Sequence, residues 1–327
     1  MSFWLITGGA GYIGTYVAKL LVSAGVPVVI FDQSINSVYI RDLGVPLVEG
    51  SLSEESKLAA VLQGASGVIH LAGYKYARES IHQPLEAYQS NVSGTISLMK
   101  AMKSAEVDKI IFSSSCSVYG NPRNLPVIEQ TELQPISPYA QSKVMAERII
   151  SEAFNYGFDR RNFSYSFLRY FNVVGCSPAG PVDVSIRNLF PQIVRSVVNQ
   201  EPLPIFGRSF PTRDGTCIRD YIHVNDIAWA HLLIVKKMEK EKFREVFNLS
   251  TGIGSSILQV VQAFEERLGF RIPIKWLPRN SGDPAAIYGV STKFEKIFDW
   301  KPATLLDTVV MDVIQKQINE SSLGTNY

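Results

Sequence analysis

A chain of 327 residues, 46% hydrophobic and 19% charged, is long enough to bury a sizeable core as one large or two medium domains. A net charge of +2 with no lysine or arginine cluster argues against a nucleic-acid surface, so any affinity for phosphate should be local. No apolar run reaches the roughly 18 residues of a membrane span, and three scattered cysteines, Cys116, Cys176 and Cys217, fit reduced thiols in a cytoplasmic protein.

The first element is a strand predicted over 3–6, close enough to Met1 that no secretory leader is expected. Thr7-Gly8-Gly9-Ala10-Gly11-Tyr12-Ile13-Gly14 follows, and a helix is predicted over 15–22. Gly9, Gly11 and Gly14 fit G-x-G-x-x-G. The first allows a tight turn, the second lets backbone approach a pyrophosphate, and the third lets helix pack on strand. An ordinary glycine turn has the same letters. The second landmark is Asp32, at the end of a strand predicted over 28–31. An acid at that distance accepts hydrogen bonds from the adenine-ribose hydroxyls and repels a 2′-phosphate, so the cofactor is read as NAD rather than NADP.

Further strands are predicted over 45–50, 67–72, 109–112 and 165–170. Between them lie helices over 53–62, with Ser53 as N-cap, over 91–105, and over 138–154, with proline in the first turn. This alternation predicts βαβ units and a doubly wound parallel sheet, with ligands at the C-terminal strand ends. After Asn172 the pattern changes. Residues 173–185 are rich in Gly, Pro and Ser, a helix follows over 188–199, a short strand over 203–207 and a turn over 212–216. The expected organisation is a cofactor domain over 1–173, with return segments around 222–250, and a smaller mixed α/β substrate domain over 174–327. His70, His82, His223 and His231 show no metal-ligand spacing, and no metal is expected.

Tyr139 and Lys143 are four residues apart on a predicted helix and share one face. An ammonium beside a phenol, together with a positive nicotinamide, favours the phenolate and should bring it from near 10 towards neutral. Such a phenolate is a general base for an alcohol proton. Ser115, third in the run Ser113-Ser114-Ser115, can relay that proton because a hydroxyl both donates and accepts. A Tyr-x-x-x-Lys pair also arises by chance; its place after a strand and a serine run favours chemistry.

These stretches resemble the extended short-chain dehydrogenase/reductases and, within them, the UDP-glucose 4-epimerase family. Beyond the glycine run and the Tyr139–Lys143 pair, the resemblance rests on Val118-Tyr119-Gly120, on Leu168-Arg169-Tyr170-Phe171-Asn172, and on 214–224, which reads Asp-Gly-Thr-Cys-Ile-Arg-Asp-Tyr-Ile-His-Val; a later echo is Gly282-Asp283-Pro284-Ala285. The resemblance implies a Rossmann-like fold and a retained NAD. At the cofactor it puts Gly8, Gly11, Tyr12, Ile13, Gly14, Asp32, Asn36, Ser37, Ser51, Leu52, Leu71, Ala72, Gly73, Lys75, Asn91, Ser113, Tyr139, Lys143 and Phe171. At a UDP-sugar it puts Ser115, Tyr139, Asn172, Asn188, Leu189, Pro204, Phe206, Arg219 and Asp283. The implied reaction inverts C4 of UDP-glucose or UDP-galactose through a 4-keto sugar. It also implies a homodimer joined by a four-helix bundle of the helices over 91–105 and 138–154.

Three positions depart from the family. Ser51-Leu52 stands where many relatives have Asp-Ile beside adenine, Arg279-Asn280 replaces an arginine pair, and Ile287 occupies a position beside the hexose where relatives carry Tyr or a small residue. Epimerases of N-acetyl or uronate UDP-sugars are the nearest alternatives. A nucleotide-sugar dehydratase is a remoter one, because Cys116-Ser117 stands where resembling dehydratases carry Asp-Glu. A non-catalytic dinucleotide sensor typically lacks the Tyr/Lys pair.

Overall fold

The computed structural model describes residues 2–156, 163–279 and 283–319. Asn280 and Gly282 lie outside the described residues. The chain divides into two units. The first comprises Met1–Gly120, Glu129–Tyr170 and Ile227–Asn248, and the second Asn121–Ile128, Phe171–Asp226 and Leu249–Tyr327.

The apolar runs of the first unit form β1 (Phe3–Thr7), β2 (Val28–Asp32), β3 (Leu47–Glu49), β4 (Ala65–His70), β5 (Lys109–Ser115), β6 (Ser164–Tyr170) and β7 (Arg244–Leu249). Among the described residues they make one seven-stranded sheet in the order β7-β6-β5-β4-β1-β2-β3. Every pair from β3 to β6 runs parallel. Leu5, Ile6, Ile30, Val68, Ile69, Ile110 and Ile111 are fully buried, as unbroken apolar strands require when both faces are covered. The fold is Rossmann-like and doubly wound. The strand order reverses between β1 and β4, and ligands of such sheets bind at the carboxyl ends beside that reversal.

The helices that matter here are α1 (Tyr12–Ser23), α2 (Gly94–Ser104) and α3 (Pro138–Tyr156). The helix expected over 53–62 begins only at Glu55 and has Glu54, not Ser53, at its N-cap position. The Ser53 hydroxyl and N–H instead donate to Ser51 Oγ, and the Ser51 N–H donates to the Glu54 carboxylate at 2.6 Å, closing a tighter turn. The helix expected from Asn91 begins as a wide π turn over Gln89–Ser93. The serine run expected to follow a strand ending at Phe112 is part of β5, paired through Ser115 with β6.

Two buried histidines tie this unit together. His70 is hydrogen-bonded to Thr7 at 2.8 Å and to Thr95 at 3.3 Å. His231 Nδ1 must donate to the Ile227 carbonyl, so its Nε2 accepts from the Tyr170 hydroxyl at 2.8 Å. Burial pushes His70 down to about 3 and His231 down to about 4. The unfolded chain takes these protons near pH 6.5 and the folded chain does not. Their stability is therefore complete above pH 6.5 and is lost as pH falls, by about 2 kcal/mol per histidine at pH 5. The fall in unfolding free energy from pH 7.5 to 5 should be smaller in His231→Asn by about that amount; equal falls would refute the neutral-histidine reading.

In the second unit, Asn172–Val174 pairs in parallel with Tyr221–His223, Leu203–Phe206 with Ile274–Leu277, and Ile218–Arg219 lies between Ser255–Ser256 and Ala286–Ile287. A helix over Ile257–Leu268 starts with a Ser256/Gln259 capping box and ends at left-handed Gly269. Phe190, Ile193, Leu203, Val260, Phe264 and Val310 centre its core. Among the described residues of the chain, no helix is long and apolar enough to cross a membrane.

Candidate active site

The glycine loop joins β1 to α1 at the carboxyl edge of the sheet. Gly8 has φ +73°, and a Cβ there would lie 2.6 Å from the Ala72 backbone nitrogen. A Cβ on Gly14 would run into the Gly8 carbonyl oxygen. The stretch 8–14, which includes the start of α1, therefore meets 71–73 and folds on itself backbone to backbone. Gly11 is the N-cap of α1 and offers no capping side chain, and the positive end of a helix dipole favours an anion. Gly14→Ala should lift α1 off the loop and abolish retention of nucleotide. The check is nucleotide released on denaturation, with circular dichroism to confirm folding; full retention in a folded variant would exclude the loop as the pyrophosphate site.

Asp32 ends β2 beside this loop. One carboxylate oxygen accepts from the Ala10 N–H at 3.0 Å and the other from the Ser34 N–H at 3.2 Å. Each oxygen keeps lone pairs for ribose hydroxyls. Asn36 is exposed and accepts from Arg41 at 2.8 Å, with Ser37 next to it. Ser51 Oγ accepts from Ser53, with Gln33 Nε2 at 3.5 Å, and Leu52 is buried. Leu71, Ala72 and Gly73 follow β4, and Lys75 is exposed with its ammonium 5.5 Å from the Tyr76 ring centre. Asn91 is buried. Its amide donates to the Tyr74 carbonyl and to Ser142 Oγ and accepts from the Tyr74 N–H, so it shapes the loop after β4. Uncapped helix, glycine cradle and Asp32 fit a dinucleotide.

Tyr139, half-buried, stands in the first turn of α3, its N–H donating to Ser80 Oγ at 3.0 Å. The Ser115 hydroxyl lies near enough to its phenol to favour the phenolate. Lys143, one turn on, is almost fully buried and donates to the Ser113 carbonyl at 2.9 Å. The pairing on one helix face is as the spacing predicts. The lowering of the phenol expected from Lys143 together with a positive nicotinamide is opposed by the protein's own burial of the group. Burial pushes Tyr139 up to about 12, and the Ser115 hydroxyl offsets only part of that. Burial also pulls Lys143 down to about 8, against the upward pull of Glu147. The Lys143 ammonium lies 5.9 Å from the Tyr139 ring centre and is committed to Ser113. Desolvation is the largest influence on both groups.

The sequence reading assigned no role to Glu147, Arg169 or Tyr170. A charge inside the apolar strand β6 and an acid one turn beyond Lys143 were the signals available.

The second unit carries its own set. Asn172, Asn188 and Leu189 line one cleft of about 210 Å³ together with Gly175, Asp183 and Tyr221. The Asn188 amide donates to Asp183 at 2.7 Å. Leu203 and Ile205 are buried, and Pro204 and Phe206 alternate with them on the half-exposed face. Arg219 Nη1 donates to the carbonyls of Ile218 and Pro284 at 2.8 and 2.9 Å, and Nη2 lies 4.0 Å from Asp283. Asp220 is engaged instead by Thr251 and the Gly252 N–H, and Asp226 faces the N–H groups of Ala303 and Thr304. Pro204, Phe206, Arg219 and Asp283 are not in the wall of that cleft. Phe171, read as a cofactor residue, belongs to this unit and packs at Gly289. Ile287 is buried opposite Arg219.

The sequence profile of the NAD dependent epimerase/dehydratase family matches residues 4–250. The chain is 36% identical over 306 residues to a UDP-glucose 4-epimerase of Lactobacillus helveticus, 91% of each chain being covered. It superposes with a TM-score of 0.91 and 33% identity on the UDP-glucose 4-epimerase of Stenotrophomonas maltophila, solved with bound NAD and formylated UDP-arabinopyranose, covering 99% of this chain and 100% of that one. The enzyme of Bifidobacterium longum in complex with NAD+ and UDP gives a TM-score of 0.90 and 34% identity over 97% of this chain and 98% of that one.

Proposed function

The chain belongs to the NAD dependent epimerase/dehydratase family, and on that premise we propose that it is an NAD-dependent isomerase interconverting UDP-glucose and UDP-galactose. The observation that carries the reading is the grouping of Tyr139, Ser115 and Lys143 at the end of β5. Gly8, Gly11 and Gly14 with the start of α1 hold the pyrophosphate, and Asp32 holds the adenine ribose. Bound NAD supplies the reversible oxidation of the sugar at C4. The positive nicotinamide of bound NAD would favour the Tyr139 phenolate against the burial that raises it, and that Oη, with Ser115 Oγ as relay, would take the proton of the 4-hydroxyl and later return it. Arg219 offers a planar fork to diphosphate oxygens and Phe206 a ring face to uracil. A grip confined to the nucleotide leaves the 4-keto hexose free to turn over, so that C4 is rebuilt with the opposite configuration.

Dehydration needs acid and base groups that Cys116-Ser117 does not supply. The test is a panel of UDP-glucose, UDP-galactose, UDP-GlcNAc, UDP-GalNAc and UDP-glucuronate, with the bound nucleotide identified after denaturation. Conversion between UDP-glucose and UDP-galactose without net consumption of NAD is expected. Equal or higher kcat/KM for the N-acetyl sugars would overturn the sugar assignment. A homodimer through α2 and α3 is the assembly the resemblance implies, and sedimentation velocity checks it. Three buried free cysteines are in keeping with a cytoplasmic site.

A further inference from the structure

Tyr139, Lys143 and Glu147 follow one another at four-residue spacing along α3 and share one face. Glu147 and Arg169 are each only 5% exposed. Arg169 Nε and Nη2 donate to the two carboxylate oxygens of Glu147 at 3.0 and 2.7 Å, and Ser114 Oγ donates to the first of these at 2.5 Å. Ser114 of β5 and Arg169 of β6 are register partners. The rest of the guanidinium is also held: Nη1 donates to Tyr119 Oη at 3.0 Å and to the Glu129 carbonyl at 3.1 Å, and Tyr119 donates to Asn248 at 2.6 Å.

A buried ion pair is weak evidence for stability, because apolar side chains of similar volume often serve as well. What apolar packing does not provide is direction. A two-pronged carboxylate–guanidinium contact has one geometry. Ser114 lies between Ser113, whose carbonyl holds Lys143, and Ser115, whose hydroxyl meets Tyr139. A small slide of α3 along β5 disturbs both contacts together.

We infer that Glu147 and Arg169 are positioning residues for the reaction: their clasp with Ser114 indexes α3 to β5 and β6, and thereby sets Tyr139 against Ser115 and Lys143 against Ser113. The inference rests on the proposed role of Tyr139 and Lys143. Misplacement of reacting groups by about 1 Å can lower turnover about 10²-fold.

Two variants test it on the full-length protein with UDP-galactose, with melting temperature, kcat and KM measured for each. Arg169→Lys keeps both charges and loses the fork. The double variant Glu147→Leu with Arg169→Met removes both charges and keeps apolar volume. Wild-type turnover of UDP-galactose is the control: its absence refutes the proposed function rather than the clasp. With wild type active, each folded variant should lose at least about tenfold in kcat, of the order set by such misplacement, with KM nearly unchanged. A folded variant that keeps its kcat, or loses kcat/KM only through KM, overturns the inference. Should the double variant not fold, Arg169→Lys alone decides by the same criterion.

Discussion

Tyr139→Phe is expected to lower kcat for UDP-galactose by about 10²- to 10⁴-fold, the range of a lost general acid–base group, while the protein keeps its NAD. The phenyl ring preserves the packing of the first turn of α3, and the Tyr139 N–H to Ser80 bond belongs to the backbone. Lys143 keeps its bond to the Ser113 carbonyl. The loss is confined to one oxygen, the one that meets Ser115. Turnover measured beside nucleotide content after denaturation separates the two effects. A variant within tenfold of wild type, with NAD in place, would remove Tyr139 from the role of base. Ser115→Ala should act in the same direction and less strongly, since a water can stand in for a relay hydroxyl.

The parts of this site legible in the sequence are those whose chemistry is local. The glycine loop, the acid at the end of β2 and the four-residue step from Tyr139 to Lys143 need only a strand, a turn and a helix to fall into place. What the sequence does not disclose depends on burial or on distant partners. Lys143 shares a helix face with Tyr139 as the spacing predicts, yet the largest influence on both groups is burial, which the four-residue spacing does not encode. Asn91 directs its amide to Tyr74 and Ser142, residues brought close only by the folded loop after β4. Ser53 has the right letter for an N-cap, but Ser51 and Glu54 compete for the same turn and win. The carboxylate of Glu147 finds Arg169 on another element, so its role is invisible from the helix alone.

Arg219→Met is expected to weaken UDP binding and raise KM for UDP-galactose by about 10- to 100-fold, as loss of one or two charge-assisted hydrogen bonds predicts. The side chain is nearly buried, and its Nη1 is anchored on the carbonyls of Ile218 and Pro284. Those bonds fix the plane of the guanidinium and cost the group little of its charge. Asp283 stands at 4.0 Å, too far for a tight pair, and Asp220 is turned to Thr251 and Gly252. A fixed cation paired only loosely with Asp283, at 4.0 Å, is suited to a diphosphate. Arg219→Lys keeps the charge but has neither the fork nor the means to hold both carbonyls while reaching an anion, so it should behave nearer to Met than to Arg. At saturating substrate kcat should stay close to wild type, because the proton chemistry belongs to Tyr139 and Ser115. Calorimetric titration of the full-length protein with UDP reads the affinity directly. A dissociation constant for UDP unchanged in Arg219→Met would mean that the anchored guanidinium braces its own loop and that the diphosphate is held elsewhere.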